Sequence, residues 1–529
     1  MAIEQVKRFA ARLRERAAPP LRVVFELPSE DELLRSLDPL ASAQMRGAQA
    51  AWSAGDRERA IELVVAHFRE RDNAPFFLSG HDLREAVARL RRERPEWVSA
   101  TLAQADRMAG GDFDVYAQTA RLLTAEDWAF APLGPGRDLL HRQRPHRFAF
   151  APRLALAALY GHETACGTLE RSVGAWAESC EPVGRFSRRS RPFRASSHVS
   201  VYRAVAVSWA LAFLAASSRS SVELEFLLLR TILADALSIA RSIRRTTRNN
   251  HLVADGFGLW YLGSVYPEFR DAARWRSTGL PVFRDELLRQ TFPDGTSFEH
   301  SVHYQEHTCE MGMAFLALCR AHDWASDAEL AGRIRAMMHF QAMLAGRDGS
   351  AVAIGDSTED PLFPLDNDDA WCGPGIRALY SEWFGDALPV DPAVASLQRA
   401  FWLGGGRMTG ARTGPDPDDR RRLHRFDDSG FALMAANRGR DRLIFRTGPP
   451  ERQEIVCGHM HFDFLGVHVV IDGNMVVVPS GTYTYRANPN SWPMPYPGWR
   501  EHFMSARASN GLVLSQGDPL ERFLGHMVK

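Results

Sequence analysis

The chain has 529 residues, of which 45% are hydrophobic and 24% are charged. This length is enough for two or more domains with sizeable cores. Lys+Arg and Asp+Glu number 64 each, so the net charge is zero. A zero balance excludes the global positive field that attracts nucleic acid, and we expect no nucleic-acid partner.

The N-terminal stretch lacks the apolar core of a secretory signal. The longest strongly apolar stretch, residues 204–216, is too short to cross a bilayer. We therefore expect a soluble chain without a signal peptide or a membrane span. Its location is cytoplasmic by sequence, and periplasmic or secreted if the start of the chain is mis-assigned. The sequence leaves the oligomeric state open.

Apolar residues recur at helical spacing through most of the first 400 residues. Asp82 is expected to cap one of these helices. Pro and Gly separate the helical segments, for example at 130–136 and 372–375. Many helices in series predict a helical array or toroid. The clearest helical segments are residues 57–69, 82–90, 154–160, 202–216, 222–243 and 311–321.

The pattern changes near residue 400. Three glycines at 404–406 and a Pro- and Asp-rich run at 413–419 indicate a linker. Short β-type segments follow at 430–436, 442–446, 464–471 and 475–480, with a hairpin signal at 472–474. We predict a helical domain over 1–400, a linker over 401–424 and a β-sheet domain over 425–529.

The first group of polar residues is Asn249-Asn250-His251, at the start of an apolar helical segment. Four arginines precede it at spacings of three and four, which would place them on roughly one helical face. They would either line a cleft for an anionic chain or form a solvated basic face. These arginines are Arg241, Arg244, Arg245 and Arg248.

The second group lies in the stretch 293–307, PDGTSFEHSVHYQEH, which is dense in proton-transfer groups. His303 and His307 share a helical face and would suit a metal ion. Residue 304 is a tyrosine, however, so the HExxH pattern of zinc proteases is missing. None of the six cysteines forms a CxxC pair, and we expect no metal.

The third group is His459, His461 and Asp463, which alternate along a predicted strand. Alternation would point all three side chains to one face. Buried imidazole and carboxylate groups are costly unless they are hydrogen-bonded or functional. Alternation of polar residues on a solvated strand is the plain alternative for any one of them.

At these places the sequence resembles the heparinase II/III-like lyases, which include alginate and heparinoid lyases. The resemblance extends from about 45 to 515, with the motifs in the same order. It implies an (α/α) toroid of paired helices followed by an antiparallel β-sandwich-type domain, here apparently shortened. The matching motifs are Asn250-His251, DGxxFExSxxY from Asp294 to Tyr304, the turn Gly355-Asp356-Ser357, and HxHxD from His459 followed by GTYTY from Gly481 to Tyr485.

The resemblance implies β-elimination on a polysaccharide that contains uronic acid. Asn250 and His251 match the residues that neutralise the substrate carboxylate, which stabilises an enolate-like transition state. Tyr304 matches the acid/base tyrosine, and His459 a second base or neutraliser. Tyr485, or Tyr483, would supply a partner tyrosine.

The same resemblance makes Glu299 and Arg500 substrate-binding residues or supports of catalytic ones, and it places the cleft between the domains. Arg244 and Arg248 from the basic stretch, and His303 from the second group, are further candidates for substrate binding. The partner that the resemblance implies is an acidic polysaccharide or oligosaccharide.

Two departures from the family pattern concern a structural zinc site found in some members. Pro479 and Ser480 stand where an acidic residue is usual, and Ser509-Asn510 stands where a His-Asn pair is usual. His461 is the one zinc-ligand candidate that remains, so we expect no cofactor. Val199 also replaces a usual glutamate.

Three hypotheses follow. The first is an active lyase on an acidic polysaccharide, based on Asn250, His251, Tyr304 and His459. The second is a catalytically impaired carbohydrate-binding protein of the same fold, because the zinc ligands are missing and the β domain is short. The third is an (α/α)-toroid glycoside hydrolase, which would need a carboxylate pair. The acids available to it are Asp294, Glu299, Asp356 and Asp463.

Overall fold

The structure is a computed structural model. It describes residues 26–71, 74–115, 118–130, 143–180, 196–346, 352–357, 360–366, 373–385, 388, 390, 397–407, 422–448, 459–482 and 499–511. Tyr483, Tyr485 and the N-terminal 25 residues lie outside these ranges.

Helices and the loops between them form most of the described chain as far as residue 403. One short hairpin, of β1 (Phe113–Val115) and β2 (Gln118–Ala120), lies among them. A 3₁₀ turn, Arg144–Arg147, precedes α7. The helices are α1 (Glu30–Ser36), α2 (Ala43–Ser53), α3 (Arg57–Glu70), α4 (Gly80–Glu93), α5 (Pro95–Gly110), α6 (Ala125–Phe130), α7 (Phe150–Leu159), α8 (Ala165–Cys180), α9 (Ser197–Ser217), α10 (Val222–Ser242), α11 (Asn250–Val265), α12 (Ala272–Gln290), α13 (Val302–Ala321), α14 (Ala328–Leu344), α15 (Gly373–Phe384) and α16 (Leu397–Leu403).

The helices begin where polar caps satisfy the first backbone N–H groups. Ser221 caps α10 and Asp327 caps α14 through their side-chain oxygens. The prediction that Asp82 caps α4 is wrong. Ser79 is the cap, because its hydroxyl accepts from the Asp82 N–H. The Asp82 carboxylate in turn accepts from the Ser79 N–H, as the residue at the third helical position does in a capping box.

Helix α9 is the central helix of the toroid and is apolar on nearly every side. A helix that is hydrophobic all round must be buried, and α9 packs against α7, α10 and α11. By length and composition it is the one described helix that would suit a membrane, but 89% of that apolar window is buried inside the fold. Core helices of this kind pass the same test, so the finding is weak evidence for a membrane span.

Helices α11 and α12 pack unusually closely, because glycines line their contact. A Cβ atom on Gly256 would lie 2.5 Å from the Phe283 nitrogen. A Cβ atom on Gly279 would lie 2.4 Å from the Trp260 nitrogen. Backbone cannot retreat as a flexible side chain can, so this contact fixes α11, and with it Asn250, against its neighbour.

The C-terminal part contains a five-stranded antiparallel sheet with its strands in sequence order, β3-β4-β5-β6-β7. Its inner face rests on α14, where the Phe340 ring lies 4.8 Å from the Phe426 ring and 5.4 Å from the Phe431 ring. The strands are β3 (Arg422–Phe426), β4 (Phe431–Ala436), β5 (Asp441–Arg446), β6 (Val467–Ile471) and β7 (Asn474–Val477), and a short helix, α17 (Trp499–Met504), follows.

The predicted hairpin at 472–474 is confirmed, since β6 and β7 pair antiparallel around it. Strand β3 begins at Arg422, within the stretch predicted as linker, and ends beyond it at Phe426. The domain limits stay predictions, because residues 408–421 are outside the described ranges.

Two local predictions are wrong. Residues 459–463 are extended but do not belong to a strand. Their hydrogen bonds go to other segments, with Phe462 donating its N–H to the Met504 carbonyl. The four arginines also do not share a helical face. Helix α10 ends at Ser242, and the Thr246 hydroxyl donates to Asp255 in the turn that leads to α11.

Replacement of Gly279 by Ala tests the close approach of α11 and α12. The added methyl meets backbone, so we expect Gly279→Ala to lower the free energy of unfolding by about 1–3 kcal/mol. The matched control is Gly332→Ala in α14, where an added Cβ meets nothing within 4 Å. That change should stabilise by roughly 0.5–1 kcal/mol, as expected for Ala over Gly in a helix. Urea denaturation of both variants measures the difference, and equal midpoints would contradict the packing argument.

Candidate active site

The first turns of three helices meet in one cluster of aromatic and titratable side chains. His198 is the second residue of α9, His251 of α11 and His303 of α13. The rings of His198 and His251 stack at 4.4 Å and 11°, and the Tyr202 ring lies 5.0 Å from His198 and 5.6 Å from His307. Helix N-termini carry partial positive charge, so the cluster is suited to anions.

Asn250 opens α11 with an amide group that has no partner in the described chain. Asn249 caps the helix by accepting from the His251 N–H at 3.0 Å. The Asn250 backbone N–H donates to Glu299 Oε1 at 3.3 Å. The Asn250 side chain is buried, yet among the described residues neither its oxygen nor its nitrogen makes a hydrogen bond. A buried amide in this state is costly unless a ligand completes it.

The histidines of the cluster are held in the neutral form. Burial, followed by the nearby His459 and Arg147, lowers the pKa of His251 to about 4. Burial, with His459 and Arg147 again contributing, lowers the pKa of His303 to about 3. The pKa values of His198 and His307 lie well below the ordinary value for the same main reason. Neutral imidazoles can each donate one hydrogen bond and accept another.

In the motif from Asp294 to Tyr304, which leads into α13, three residues have clear structural roles. Asp294 accepts from the N–H and hydroxyl of Ser429, both at 2.8 Å, and so ties the helical part to the β3–β4 turn. Gly295 has φ 91°, and a Cβ there would lie 2.2 Å from the carbonyl carbon of Ala336. Ser301 caps α13 by accepting from the Tyr304 N–H at 3.1 Å. These contacts place Tyr304 in the first turn of α13.

Tyr304 and His459 stack face to face, at a centroid distance of 3.5 Å and an angle of 8°. Tyr304 comes from the helical part and is buried, whereas His459 comes from the C-terminal part and is 18% exposed. The structure therefore brings together two residues that the sequence predicted as acid/base groups from segments about 150 positions apart.

Asp356 is fully buried and receives hydrogen bonds from several side chains. His459 Nδ1 and His461 Nε2 each lie 3.0 Å from one of its oxygens, and Arg500 Nη2 lies at 2.7 Å. Burial by itself would raise the pKa of Asp356, but the hydrogen bonds from these three residues hold it well below the usual range. Because the carboxylate is ionised, both imidazole nitrogens that face it must donate.

Gly355 allows the segment of Asp356 to pass between the two parts of the chain. Its φ is 73°, and a Cβ there would lie 2.9 Å from the His300 oxygen and 3.0 Å from the His459 oxygen. The Asp356 N–H donates to the His459 carbonyl at 2.8 Å, and the Ser301 hydroxyl donates to the Asp356 carbonyl at 2.7 Å. A side chain at 355 would push these segments apart.

A buried arginine pair lies beside the cluster. The Arg147 guanidinium lies 4.3 Å from the centre of the Tyr202 ring and pairs with Asp360. Arg144 also pairs with Asp360, at 3.1 Å. Two arginines share one carboxylate, so the group carries a net positive charge. Tyr202 in turn hydrogen-bonds His307 Nδ1.

The other predicted site residues differ in their burial and in their contacts with the cluster. Glu299 is buried, and burial raises its pKa. Arg500 contacts Asp356, as described. Arg244 is exposed, and Arg248 is 61% exposed with Glu286 at 3.6 Å. No contact of these two arginines with the cluster occurs within the described chain. The predicted Tyr485 lies outside the described residues.

The sequence prediction did not select several residues of the cluster. Asp356 was identified as part of a turn motif and as an acid for the hydrolase hypothesis but not as a partner of His459, and His198, Tyr202 and Arg147 were not selected. A signal was available for two of these. His198 and Tyr202 are polar aromatic residues four apart in an otherwise apolar helix. Polar side chains on a fully buried helix need partners or a function.

The residues around His461 do not fit a zinc ion. Zinc takes about four nitrogen, sulfur or oxygen ligands, but His461 Nε2 faces Asp356. At the two departing positions, the Ser480 hydroxyl donates to the Phe503 carbonyl and the Asn510 amide donates to the Val478 carbonyl. Hydrogen bonds between residues 478–480 and residues 503–510 thus occur at positions that correspond to metal ligands in the family pattern described above.

Solved structures with the same fold include heparinases. The chain superposes on a structure titled "Crystal Structure of Heparinase III" with a TM-score of 0.65 at 15% identity, covering 92% of this chain and 71% of that one. For heparan sulfate lyase HepC from Pedobacter heparinus the TM-score is 0.52 at 16% identity, covering 91% and 69%. The predicted fold class, a helical toroid followed by an antiparallel β domain, is confirmed.

Sequence comparisons agree. A heparin-sulfate lyase of Pedobacter heparinus is 25% identical over 264 residues, which are 48% of this chain and 37% of the relative. One of Bacteroides stercoris is 36% identical over 59 residues, 11% of this chain and 9% of the relative. The match thus spans about a third or less of these curated relatives.

Two family models match the chain. The model described as "Heparinase II/III N-terminus" matches residues 35–361. The model described as "Heparinase II/III-like, C-terminal" matches residues 418–528. Together they cover both the helical part and the sheet, and the chain therefore belongs to the heparinase II/III family.

Proposed function

We propose that the protein is a polysaccharide lyase that cleaves a uronic-acid-containing polysaccharide by β-elimination. The proton on C5 of the uronate is removed, the C4–O4 bond breaks, and a C4–C5 double bond forms. The observation that carries this proposal is the Tyr304–His459 stack, together with the buried Asn250 amide, which has no hydrogen-bond partner among the described residues. The names of the relatives, heparin-sulfate lyases, support an acidic polymer as the substrate.

The uronate carboxylate would be recognised by Asn250 and His251. The C5 proton is only weakly acidic because the neighbouring carboxylate resists further negative charge. Hydrogen-bond donors at that carboxylate stabilise the charge that develops as the proton leaves. The Asn250 amide nitrogen is a buried donor without a partner in the described chain, and a neutral His251 supplies a second donor.

Tyr304 and His459 would carry the proton transfers. General acid–base catalysis needs groups within hydrogen-bond reach of the reacting atoms. Their rings are parallel at a centroid distance of 3.5 Å, so the two groups lie together at one place in the site. One of the two would take the C5 proton, and Tyr304 would protonate the leaving O4.

The surroundings favour an anionic substrate without using many formal charges. Three helix N-termini and the net positive group of Arg144, Arg147 and Asp360 lie beside the cluster. Helix N-termini and neutral imidazoles bind anions by oriented N–H groups. A site of this kind is compatible with a chain whose net charge is zero.

The hydrolase alternative is disfavoured by the contacts of its carboxylates. Asp294 is bonded to Ser429, Asp463 pairs with the buried Arg446, and Asp356 is bonded to His459, His461 and Arg500. The fourth acid, Glu299, is buried, and burial raises its pKa, as a general acid would need. Glycoside hydrolysis requires a second carboxylate, and the other three of these four acids are already held in the contacts just named.

The reaction is tested by absorbance near the unsaturated-uronate band, with alginate, heparin, heparan sulfate, chondroitin and hyaluronan as substrates. We expect a rise with at least one polymer. Tyr304→Phe should lower kcat on that polymer by roughly 10²–10⁴-fold, because the hydroxyl that transfers the proton is lost. The matched control is Tyr160→Phe, a buried tyrosine at the end of α7, which should keep the wild-type rate.

Binding to a polymer without any rise in absorbance would contradict the proposal and favour the catalytically impaired binding protein. A rise that persists unchanged in Tyr304→Phe would remove Tyr304 from the mechanism but leave the lyase reaction in place.

Carboxylate neutralisation is tested by Asn250→Asp. The change is isosteric, but it places a negative charge where the uronate carboxylate would bind. We expect kcat/KM to fall by roughly 10³-fold or more, since one donor of this kind contributes about 10²–10³-fold. Asn249→Asp is the control, because Asp caps a helix as well as Asn does and should retain activity. Comparable losses in both variants would indicate damage to the start of α11 instead.

A further inference from the structure

The Asp356 carboxylate accepts five side-chain hydrogen bonds, which use both of its oxygens. Oδ2 accepts from His459 Nδ1 at 3.0 Å and from Arg500 Nη2 at 2.7 Å. Oδ1 accepts from His461 Nε2 at 3.0 Å, and from Thr482 Oγ1 and Arg500 Nη1 at 3.3 Å each. A fully buried carboxylate with this many donors stays ionised and does not exchange protons with a substrate. Any effect of Asp356 on the reaction must therefore pass through a neighbour.

That neighbour is His459. Two contacts of its ring bear on its position: the stack on Tyr304 and the hydrogen bond to Asp356. Stacking on Tyr304 fixes the plane of the ring. Stacking does not fix which edge of the ring faces which way, because a 180° flip leaves the ring in the same plane. The hydrogen bond from Nδ1 to Asp356 removes this ambiguity, since a flip would place a carbon against the carboxylate.

We propose that Asp356 is a positioning residue that sets both the orientation and the tautomer of His459. It holds the proton on Nδ1 and thereby leaves Nε2 as the ring nitrogen that exchanges a proton with substrate. His461, Thr482 and Arg500 donate to the same carboxylate and hold it in place. This inference rests on the proposed lyase function and adds to it the group that prepares His459 for proton transfer.

Asp356→Asn tests the proposal because it keeps the shape but not the acceptors. An amide offers one oxygen and one NH₂ group, whereas two imidazole N–H groups face the two oxygens of Asp356. When the NH₂ group faces His459, the ring must turn a lone pair toward it and place its proton on Nε2. The same substitution beside a catalytic histidine lowers kcat by roughly 10⁴-fold in a Ser-His-Asp triad. We expect a fall in kcat of roughly 10²-fold or more, with KM changed less than about threefold.

The control is Asp463→Asn. Asp463 is also a buried, ion-paired carboxylate of the C-terminal part, but its partner is Arg446 rather than His459. Its loss should lower the melting temperature without the selective loss of kcat. A wild-type kcat in folded Asp356→Asn, or an equal loss of kcat in both variants, would overturn the proposal.

A second measurement does not depend on activity. Nitrogen NMR of histidine-labelled wild-type protein reports the tautomer of each imidazole, and His459→Gln identifies the His459 signal. We expect His459 to be protonated on Nδ1 in the wild type and to shift toward Nε2 in Asp356→Asn. An Nε2-protonated His459 in the wild type would overturn the inference. An inactive wild type with the expected tautomer would instead count against the lyase function.

Discussion

The structure depends on one buried charge, the carboxylate of Asp356, at the junction of the helical part and the sheet. It is reached from the C-terminal part by His459, His461, Thr482 and Arg500. A buried carboxylate is tolerated only when donors surround it, and removal of one donor leaves part of its charge without compensation. The ties that hold the two parts together therefore also determine where His459 lies relative to Tyr304, and folding and the preparation of the site are the same event.

The charged side chains around the site serve in structural contacts, whereas the groups proposed to act on the substrate are others. The carboxylates of Asp294, Asp356 and Asp463 serve as acceptors in structural contacts, and Arg147 and Arg144 share Asp360 beside the cluster. In the proposed site, the side chains that would face the substrate are imidazoles, a tyrosine and an amide. Neutral donors cost less to bury than charged ones and become stronger as negative charge develops on the substrate.

Much of the fold could be predicted from the sequence, because helical periodicity and turn signals are local. The hairpin at 472–474 and the helices around residues 57–69 and 222–243 followed from such signals. Asp356 could not be assigned in this way, since its partners lie more than 100 positions away. The strand predicted for residues 459–463 failed for a related reason. Alternation of polar residues there reflects contacts with Asp356 and Arg446 rather than a place in a sheet.

The resemblance to a family identified Asn250, His251, Tyr304 and His459, but only the structure gives a reason for their spacing. Asn250 and Tyr304 each occupy the first turn of a helix, where the backbone N–H groups take partners outside the helical ladder, Glu299 for Asn250 and the Ser301 hydroxyl for Tyr304. His459 comes from a segment that belongs to no helix or strand, and so it needs an external constraint. Asp356 supplies that constraint only because residue 355 is glycine: a side chain there would meet the His459 carbonyl at 3.0 Å. The position of His459 against Tyr304 therefore depends on the glycine at residue 355.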